Sequence, residues 1–279
     1  MLKITLLGAG GKMGCRITDN LKNNPDYHVD YVEISETGIA NLKARGLTTT
    51  PQDIAIARAD AVILALPDRL IGKVTQEIIP LLKAGTMVIG LDPAASYAGV
   101  IPLRNDLVYF VTHPCHPPMF NDEVTPEARA DWFGGVHAKH HIVCALHQGP
   151  DSSYVVGEKI SRDMFAPVMK SFRITVEQMA ILEPALVETF SATVIMAIHE
   201  AFLEAVKMGV PEEAAWEFLS GHARIEFGII FGFAGFPFSD GAKLAIAKAQ
   251  EKIFKPDWKE RIMNMEAIKH SVREITGQI

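Results

Sequence analysis

Two imidazoles stand in one short, stiff segment: Thr112-His113-Pro114-Cys115-His116-Pro117-Pro118-Met119-Phe120-Asn121-Asp122-Glu123. Prolines at 114, 117 and 118 each fix their own φ and remove a backbone donor. Hydrogen bonding there falls to the rings. A rigid loop presenting two imidazoles suits general acid–base work near neutral pH, or a metal site. Cys115 is a weaker third candidate, since cysteine in a cytosolic enzyme more often serves as a small buried hydrophobe. The bland alternative is that both rings cap loop carbonyls. His137, His140, His141 and His147 form a second group beside Lys139, and read as a solvated strand entry.

Further polar groups fall on apolar helical sequence in the second half. Glu183, Glu188, His199, Glu200 and Glu204 lie on or beside one long stretch, and charge on such a helix needs a partner, water or a function. Glu188 and His199 share a face, while Glu200 and Glu204 pair with Lys207 as ordinary surface charge. His222 and Glu226 are one helical turn apart, a spacing that presents both to one metal ion or one substrate, or makes a structural pair.

A glycine cluster opens the chain: Gly8-Ala9-Gly10-Gly11-Lys12-Met13-Gly14, between an apolar run and a helical face. This is the place of a dinucleotide-binding turn. The strict G-x-G-x-x-G spacing fails, because its third glycine would be Met13, whereas Gly8, Gly11 and Gly14 satisfy G-x-x-G-x-x-G. In either register glycines admit a pyrophosphate to the backbone and a helix N-terminus supplies free N–H groups. Glu33 closes the second strand, where an acid accepts from ribose hydroxyls and repels a 2′-phosphate, so NAD is favoured over NADP. Leu66 and Pro67 end a buried strand and are expected to touch the cofactor. Asp92-Pro93 ends the next in the same way.

These groups need a scaffold, and the apolar pattern supplies one. Ile4–Leu7, His28–Ile34, Ala61–Leu66, Met87–Leu91, Leu107–Val111 and His141–Leu146 read as strands, several apolar throughout as parallel strands covered on both faces are. Helical segments follow Gly11, Ser35 and Leu70, giving βαβ units. Beyond Gly149-Pro150-Asp151 the β-branched runs thin out. Ala185–Met208 reads as one helix, apolar around much of its circumference, which is buried in a core or at a subunit interface. The expected architecture is an α/β Rossmann-type parallel-sheet domain over 1–150, followed by an all-α substrate and dimerisation domain over 151–279. Phe227, Phe231, Phe233, Phe236 and Phe238 are too many for a loop left in water, which points to a homodimer with interlocked helical parts.

Composition narrows the partners. The 279 residues are 48% hydrophobic and 22% charged, with a formal charge of −6 and no long block of one sign. This disfavours nucleic acid and anionic membranes as partners and leaves room for a small acid. Three cysteines make no disulfide framework, the opening apolar run is too short for a signal peptide, and no long uninterrupted apolar segment appears; a cytoplasmic, non-membrane protein is expected.

The glycine turn, Leu66-Pro67-Asp68, the strand-end histidine loop and the helical second half together resemble the 6-phosphogluconate and 3-hydroxyacid dehydrogenase superfamily, over essentially the whole chain. Gly-Ala-Gly-Gly-Lys-Met-Gly, His-Pro-Cys-His-Pro-Pro-Met-Phe-Asn-Asp-Glu and Ile-Val-Cys-Ala-Leu-His-Gln-Gly-Pro are more narrowly similar to its sugar-acid oxidoisomerases. One departure matters. Where the superfamily's hydroxyacid dehydrogenases carry a catalytic lysine early in the long helix, this chain reads Leu186-Val187-Glu188-Thr189-Phe190-Ser191.

The resemblance implies NAD-dependent oxidation of a branched sugar acid, D-apionate, at C2, with a hydroxymethyl shift to give 3-oxo-isoapionate. A plain, possibly decarboxylating, dehydrogenase is the alternative. With no helix lysine, the base falls to His113 or His116, with Glu188, His222 and Glu226 as further catalytic candidates. A divalent metal, Zn or Mg, would serve the rearrangement as a Lewis acid, with His113, His116 and Glu188 as its expected ligands. Gly8, Gly10, Gly11, Lys12, Met13, Gly14, Glu33, Leu66 and Pro67 would hold NAD.

Overall fold

The computed structural model describes every residue, Met1–Ile279, and divides into two compact units, Met1–Pro184 with Ile268–Ile279, and Ala185–Ala267. The first unit is built on seven strands: β1 (Leu2–Leu7), β2 (Tyr27–Val32), β3 (Ala61–Leu64), β4 (Met87–Gly90), β5 (Val108–Pro114), β6 (His140–Gln148) and β7 (Val168–Arg173). Their order across the sheet is β2-β1-β3-β4-β5-β6-β7. The first five strands are parallel, β6 runs antiparallel to β5, and β7 runs parallel to β6. The expected Rossmann-type sheet is thus present, and mostly parallel.

Apolar side chains on both faces explain the uninterrupted runs. One face packs Ile4, Leu6, Ile63, Ile89 and Phe110 with α1 (Lys12–Leu21) and α7 (Ser153–Met164). The other packs Leu7, Val62, Leu64, Val88 and Tyr109 with α3 (Gln52–Arg58), α4 (Asp68–Ile78) and α5 (Pro93–Tyr97). The helix α2 (Glu36–Ala44) is capped by Ser35, and α6 (Pro126–Ala130) by Thr125.

Chain order reverses at β1, which lies between β2 and β3. Ligands of such sheets bind at this switch, outside the carboxyl ends of the strands. The ends of β1, β3, β4 and β5 open there together.

The division of the chain departs from the one expected at residue 150. The sheet continues beyond it, because α7 packs against β5 and β6 and β7 adds an edge. β7 escaped the apolar pattern because four of its six residues are exposed. The first unit also reclaims the chain's end, where Ile268 and Val272 of α13 (Met265–Ile275) are buried.

A helix runs unbroken from Val176 to Lys207. It comprises α8 (Val176–Ala180), a π-helical stretch (Ile181–Ser191) and α9 (Ala192–Lys207). Pro184 lies inside it. Proline lacks an N–H and crowds the preceding turn, and the wider π turn accommodates it without ending the helix. By length and composition alone this helix could cross a membrane, a feature the sequence reading did not anticipate. The second unit takes α9, with α10 (Glu212–Ile230), α11 (Asp240–Ile253) and α12 (Trp258–Ile262). Within the chain α9, α11 and α12 bury no residue and α10 buries only Gly228.

Candidate active site

The glycine turn joins β1 to α1, and its register differs from the expected one. A methyl group at Gly8, which has φ +72°, would lie 2.3 Å from the Ala65 carbonyl oxygen. At Gly10 it would lie 2.1 Å from the Gly38 oxygen, and at Gly14 2.0 Å from the Gly8 oxygen. At Gly11 the nearest atom stands at 3.3 Å. Close packing therefore requires glycine at 8, 10 and 14, with Gly11 as the N-cap of α1. The first turn of α1 has neither a capping side chain nor an acid. Its N–H groups and positive dipole end are left for an anion.

Glu33 binds this turn to the next. Its Oε2 accepts the Gly10 N–H at 3.0 Å, and its Oε1 accepts the Ile34 and Ser35 N–H groups at 2.9 Å and the Ser35 hydroxyl at 3.0 Å. Burial pushes the carboxyl up, but these donors outweigh it and hold Glu33 below the usual glutamate range.

A crevice of about 480 Å³ lies where the strands end. Its walls are Gly11, Lys12 and Met13, then Leu64 to Asp68, Leu91 and Asp92, His113, Pro114 and His116, with Phe133 and Glu183. Leu66 and Pro67 thus line it as the strand-end rule anticipates.

The two histidines enter from β5 and the loop after it. β5 pairs with β6 through His113 and Pro114, and the Cys115 N–H extends the pairing to the His141 carbonyl. His113 Nδ1 lies 2.8 Å from the Pro114 carbonyl oxygen. A carbonyl only accepts, so Nδ1 carries the proton and Nε2 is the free ring nitrogen. His116, at φ +58°, places its Nδ1 3.0 Å from the Phe133 carbonyl oxygen, with the same consequence. The ring centroids are 6.1 Å apart. Sequence reading offered carbonyl capping as the alternative to chemistry. Here each ring does cap a carbonyl, which leaves its other nitrogen without a proton, and both residues line the crevice.

Phe133 is seated by charge. The Asp131 carboxylate accepts from the N–H groups of Gly134, Val136, His137 and Ala138, which folds the loop around it. Arg16 reaches across from α1 to the Gly134 oxygen at 2.6 Å and covers the Phe133 ring at 4.3 Å. Lys12 lies 5.6 Å from that ring, which sets an ammonium on the crevice wall.

His113 Nε2 faces two carboxylates, Glu183 Oε1 at 3.6 Å and Asp92 Oδ2 at 4.0 Å. Asp92 caps α5, its Oδ1 accepting the Ala94 N–H at 2.7 Å. Burial foremost, with Asp68 and Glu183 nearby, pushes Asp92 up to about 7 despite that hydrogen bond. Burial likewise raises Asp68.

Of the expected metal ligands, His113 lies in a cluster of possible donors. The three donors within 4.8 Å of one another are Asp92, His113 and Glu183, not His113, His116 and Glu188. Glu188 lies on the same helix as Glu183 but beyond Pro184, exposed, in the second unit. His222 and Glu226 also belong to that unit, where they line a hollow on α10. The His222 ring stacks on Phe218 and its Nδ1 meets the Phe218 carbonyl oxygen at 2.8 Å. In the second histidine group, His140 is buried against the Phe165 carbonyl oxygen, and His137 and His147 are exposed. In the sequence Asp92 reads as a strand-end acid and Glu183 as a charge beside an apolar helix, and neither pattern brings it next to His113.

Comparison with known proteins places the whole chain among relatives. Residues 121–276 match the family described as phosphogluconate dehydrogenase (decarboxylating) C-term. The chain is 47% identical over 275 residues to a D-apionate oxidoisomerase of Cupriavidus necator, covering 98% of this chain and 99% of that one. It is 48% identical over 277 residues to a D-apionate oxidoisomerase of Rhizobium rhizogenes, covering 99% and 100%. A crystal structure of a semialdehyde dehydrogenase NAD-binding protein from Cupriavidus necator, in complex with calcium and NAD, superposes with a TM-score of 0.96 at 47% identity, over 99% of this chain and 100% of that one. An NADH-preferring ketol-acid reductoisomerase from an uncultured archean superposes at 0.64 with 18% identity over 99% and 82% of the chains, a likeness of fold alone.

Proposed function

Because this chain belongs to the D-apionate oxidoisomerase family, within the 6-phosphogluconate dehydrogenase-like superfamily, we propose that it oxidises D-apionate at C2 and moves a hydroxymethyl group from C3 to C2. The chain is an NAD-dependent oxidoreductase. The carbon shift, the substrate and the residue roles are our reading.

The observation that carries the reading is the pair of imidazoles whose Nδ1–H groups are held by the Pro114 and Phe133 carbonyls. Both residues line the crevice at the strand ends, beside the glycine turn. The pyrophosphate of NAD rests on the first turn of α1, with Gly8, Gly10 and Gly14 allowing its approach. Glu33 faces the adenosine ribose with the lone pair of Oε2 that Gly10 leaves. Leu66 and Pro67 flank the nicotinamide. Lys12 receives the substrate carboxylate.

His116 Nε2 takes the C2 hydroxyl proton as hydride leaves C2 for the nicotinamide. The product of that step is a 2-oxo acid beside a tertiary alcohol. Removal of the C3 hydroxyl proton then lets C3 become a ketone. The C3–CH2OH bond breaks, the same carbon bonds to C2, and the C2 oxygen takes up a proton. The sum is D-apionate and NAD+ giving 3-oxo-isoapionate, NADH and a proton. The relative's complex with calcium and NAD supports a divalent cation as well as the nucleotide. A bound cation would supply Lewis-acid stabilisation of the C2 and C3 oxygens.

The second unit completes the proposal as the contact between two copies. Trp216 (56% exposed), Phe218 (69%) and Phe233 (71%) lie open, and α9 with α10 forms an apolar hollow of about 900 Å³. A homodimer covers these surfaces. The three unpaired cysteines fit a reducing, cytoplasmic setting.

The test mixes purified protein with NAD and D-apionate, follows NADH absorbance and takes an NMR spectrum of the product. NADH with a rearranged skeleton is the expected result. NADH with the skeleton intact would make the protein a plain dehydrogenase, and no NADH would remove this substrate.

A further inference from the structure

We propose that Asp92, His113 and Glu183 are the protein ligands of a catalytic divalent cation. This deepens the function proposed above by naming the site that polarises its substrate. It sets Asp92 and Glu183 beside His113 on the geometry of the cluster.

The separations argue for it. His113 Nε2 stands 3.6 Å from Glu183 Oε1 and 4.0 Å from Asp92 Oδ2. A charge-assisted hydrogen bond would draw such atoms to about 2.7–2.9 Å. Two donors each about 2.0–2.4 Å from one cation lie roughly 3–4.5 Å apart. The three groups are therefore spaced for an ion between them rather than for direct pairing.

Their orientation is imposed from outside the cluster. The Pro114 carbonyl fixes the His113 tautomer so that Nε2 offers a lone pair. This is the usual condition of an imidazole ligand, whose other nitrogen donates to a carbonyl or carboxylate. The Ala94 N–H engages Asp92 Oδ1 and leaves Oδ2 towards the centre. Glu183 comes from the helical stretch that passes Pro184 without breaking.

Charge gives a separate argument. Asp68, Asp92 and Glu183 line the same crevice. An anionic sugar acid entering beside NAD would meet three carboxylates, with Lys12 the only lysine or arginine on the walls. A divalent cation held by two of those acids reverses that balance. Three protein ligands also leave positions open for substrate, as catalytic sites require. A 2-hydroxy or 2-oxo acid fills two of them through its carboxylate and C2 oxygens. One imidazole with two carboxylates suits Mn2+, Zn2+ or Mg2+ rather than a thiolate-seeking ion.

The experiment measures Mn2+ binding to the chelator-stripped full-length protein by electron paramagnetic resonance, without substrate, beside D92N, E183Q and H113A. NAD affinity and melting temperature are recorded for each. We expect one Mn2+ per chain in the wild type, competed by Zn2+, and a loss of affinity of about 10–100-fold in each variant with NAD binding kept. Wild type that holds neither ion, or folded variants that bind Mn2+ as tightly as wild type, would overturn the site. Should D92N misfold, E183Q and H113A decide the matter. Turnover of D-apionate by protein that holds no ion would sink the site and leave the function. Mn2+ binding lost in the variants, in a protein inert to D-apionate, would keep the site and sink the substrate.

Discussion

Glu33 Oε2 accepts the Gly10 N–H at 3.0 Å and so ties the β1–α1 turn to the start of α2. The Gly38 backbone oxygen lies where a Gly10 side chain would begin. The two contacts make position 10, rather than position 11, the one that cannot change. G10A is expected to lose NAD affinity by at least about 100-fold, or to fail to fold, whereas G11A retains affinity within a few-fold. Titration calorimetry with NAD, alongside melting temperatures, checks this. Equal losses in the two variants would show that the Gly8, Gly11 and Gly14 register governs binding after all.

Glu33 itself gives a second prediction. Its carboxylate is occupied by four donors, so E33A removes both a ribose acceptor and the clasp between turns. NAD affinity should fall by about 10–100-fold, with kcat at saturating NAD changed far less. E33A should not gain on NADP what it loses on NAD, because no basic side chain takes the place of the acid. A variant that prefers NADP would refute the clasp as the main role.

The base is tested at His116. Its Nδ1 is engaged by Phe133, so H116A removes the free Nε2 while β5 stays paired. Turnover is expected to fall by about 10²–10⁴-fold, the range for a lost general base. NAD affinity should be unchanged. H116Q can still donate to the Phe133 oxygen but has no base, and should be as slow as H116A. Recovery of activity in H116Q would make the residue a positioning group instead.

Much of this site is legible in the sequence because it rests on local rules. Glycines follow the first strand, a strand ends at Leu66-Pro67, and prolines stiffen the histidine loop. Each is a short-range constraint that needs no knowledge of packing. The acids of the proposed cation site are less legible. Pro184 reads as a break, so the long helix is expected to start after it, which favours Glu188 and leaves Glu183 outside. The π turn carries the helix through the proline and puts Glu183 in the crevice. The edge strand β7 escapes notice for a related reason. Its Met169, Lys170, Phe172 and Arg173 are exposed, and an edge strand needs no apolar run.

The buried His140 sets a limit on the acid side. Its Nε2 lies 2.6 Å from the Phe165 carbonyl oxygen, its Nδ1 is buried without a partner, and the residue is 1% exposed. Burial lowers its pKa, and Arg16 and His116 add to this, against the Phe165 hydrogen bond and Asp131. Between the folded value and an unfolded value of about 6.5, the unfolded chain binds more protons. Stability therefore rises with pH across that window and is lost as pH falls through it. H140Q keeps a donor to Phe165 and cannot ionise. Melting temperatures from pH 5 to 8 should fall less steeply for H140Q than for wild type, and identical slopes would exclude His140 as the source.

The second unit offers the sharpest stability test, because within one chain it has almost no core. Ile195 (60% exposed), Met196 (59%) and Phe218 (69%) sit on helices that bury little else. Apolar surface of this extent marks an interaction site. A second copy satisfies it without another gene product. Light scattering after gel filtration should therefore give twice 30.6 kDa. A charge in the α9–α10 hollow, as in I198E or W216E, must be desolvated if the copies stay together, a cost of several kcal/mol. The variants should shift to monomer, melt earlier and lose turnover in proportion to the dimer lost. A wild-type monomer of full activity would leave the hollow to another occupant. A wild type that stays in solution only with detergent would assign the Val176–Lys207 helix to a membrane instead.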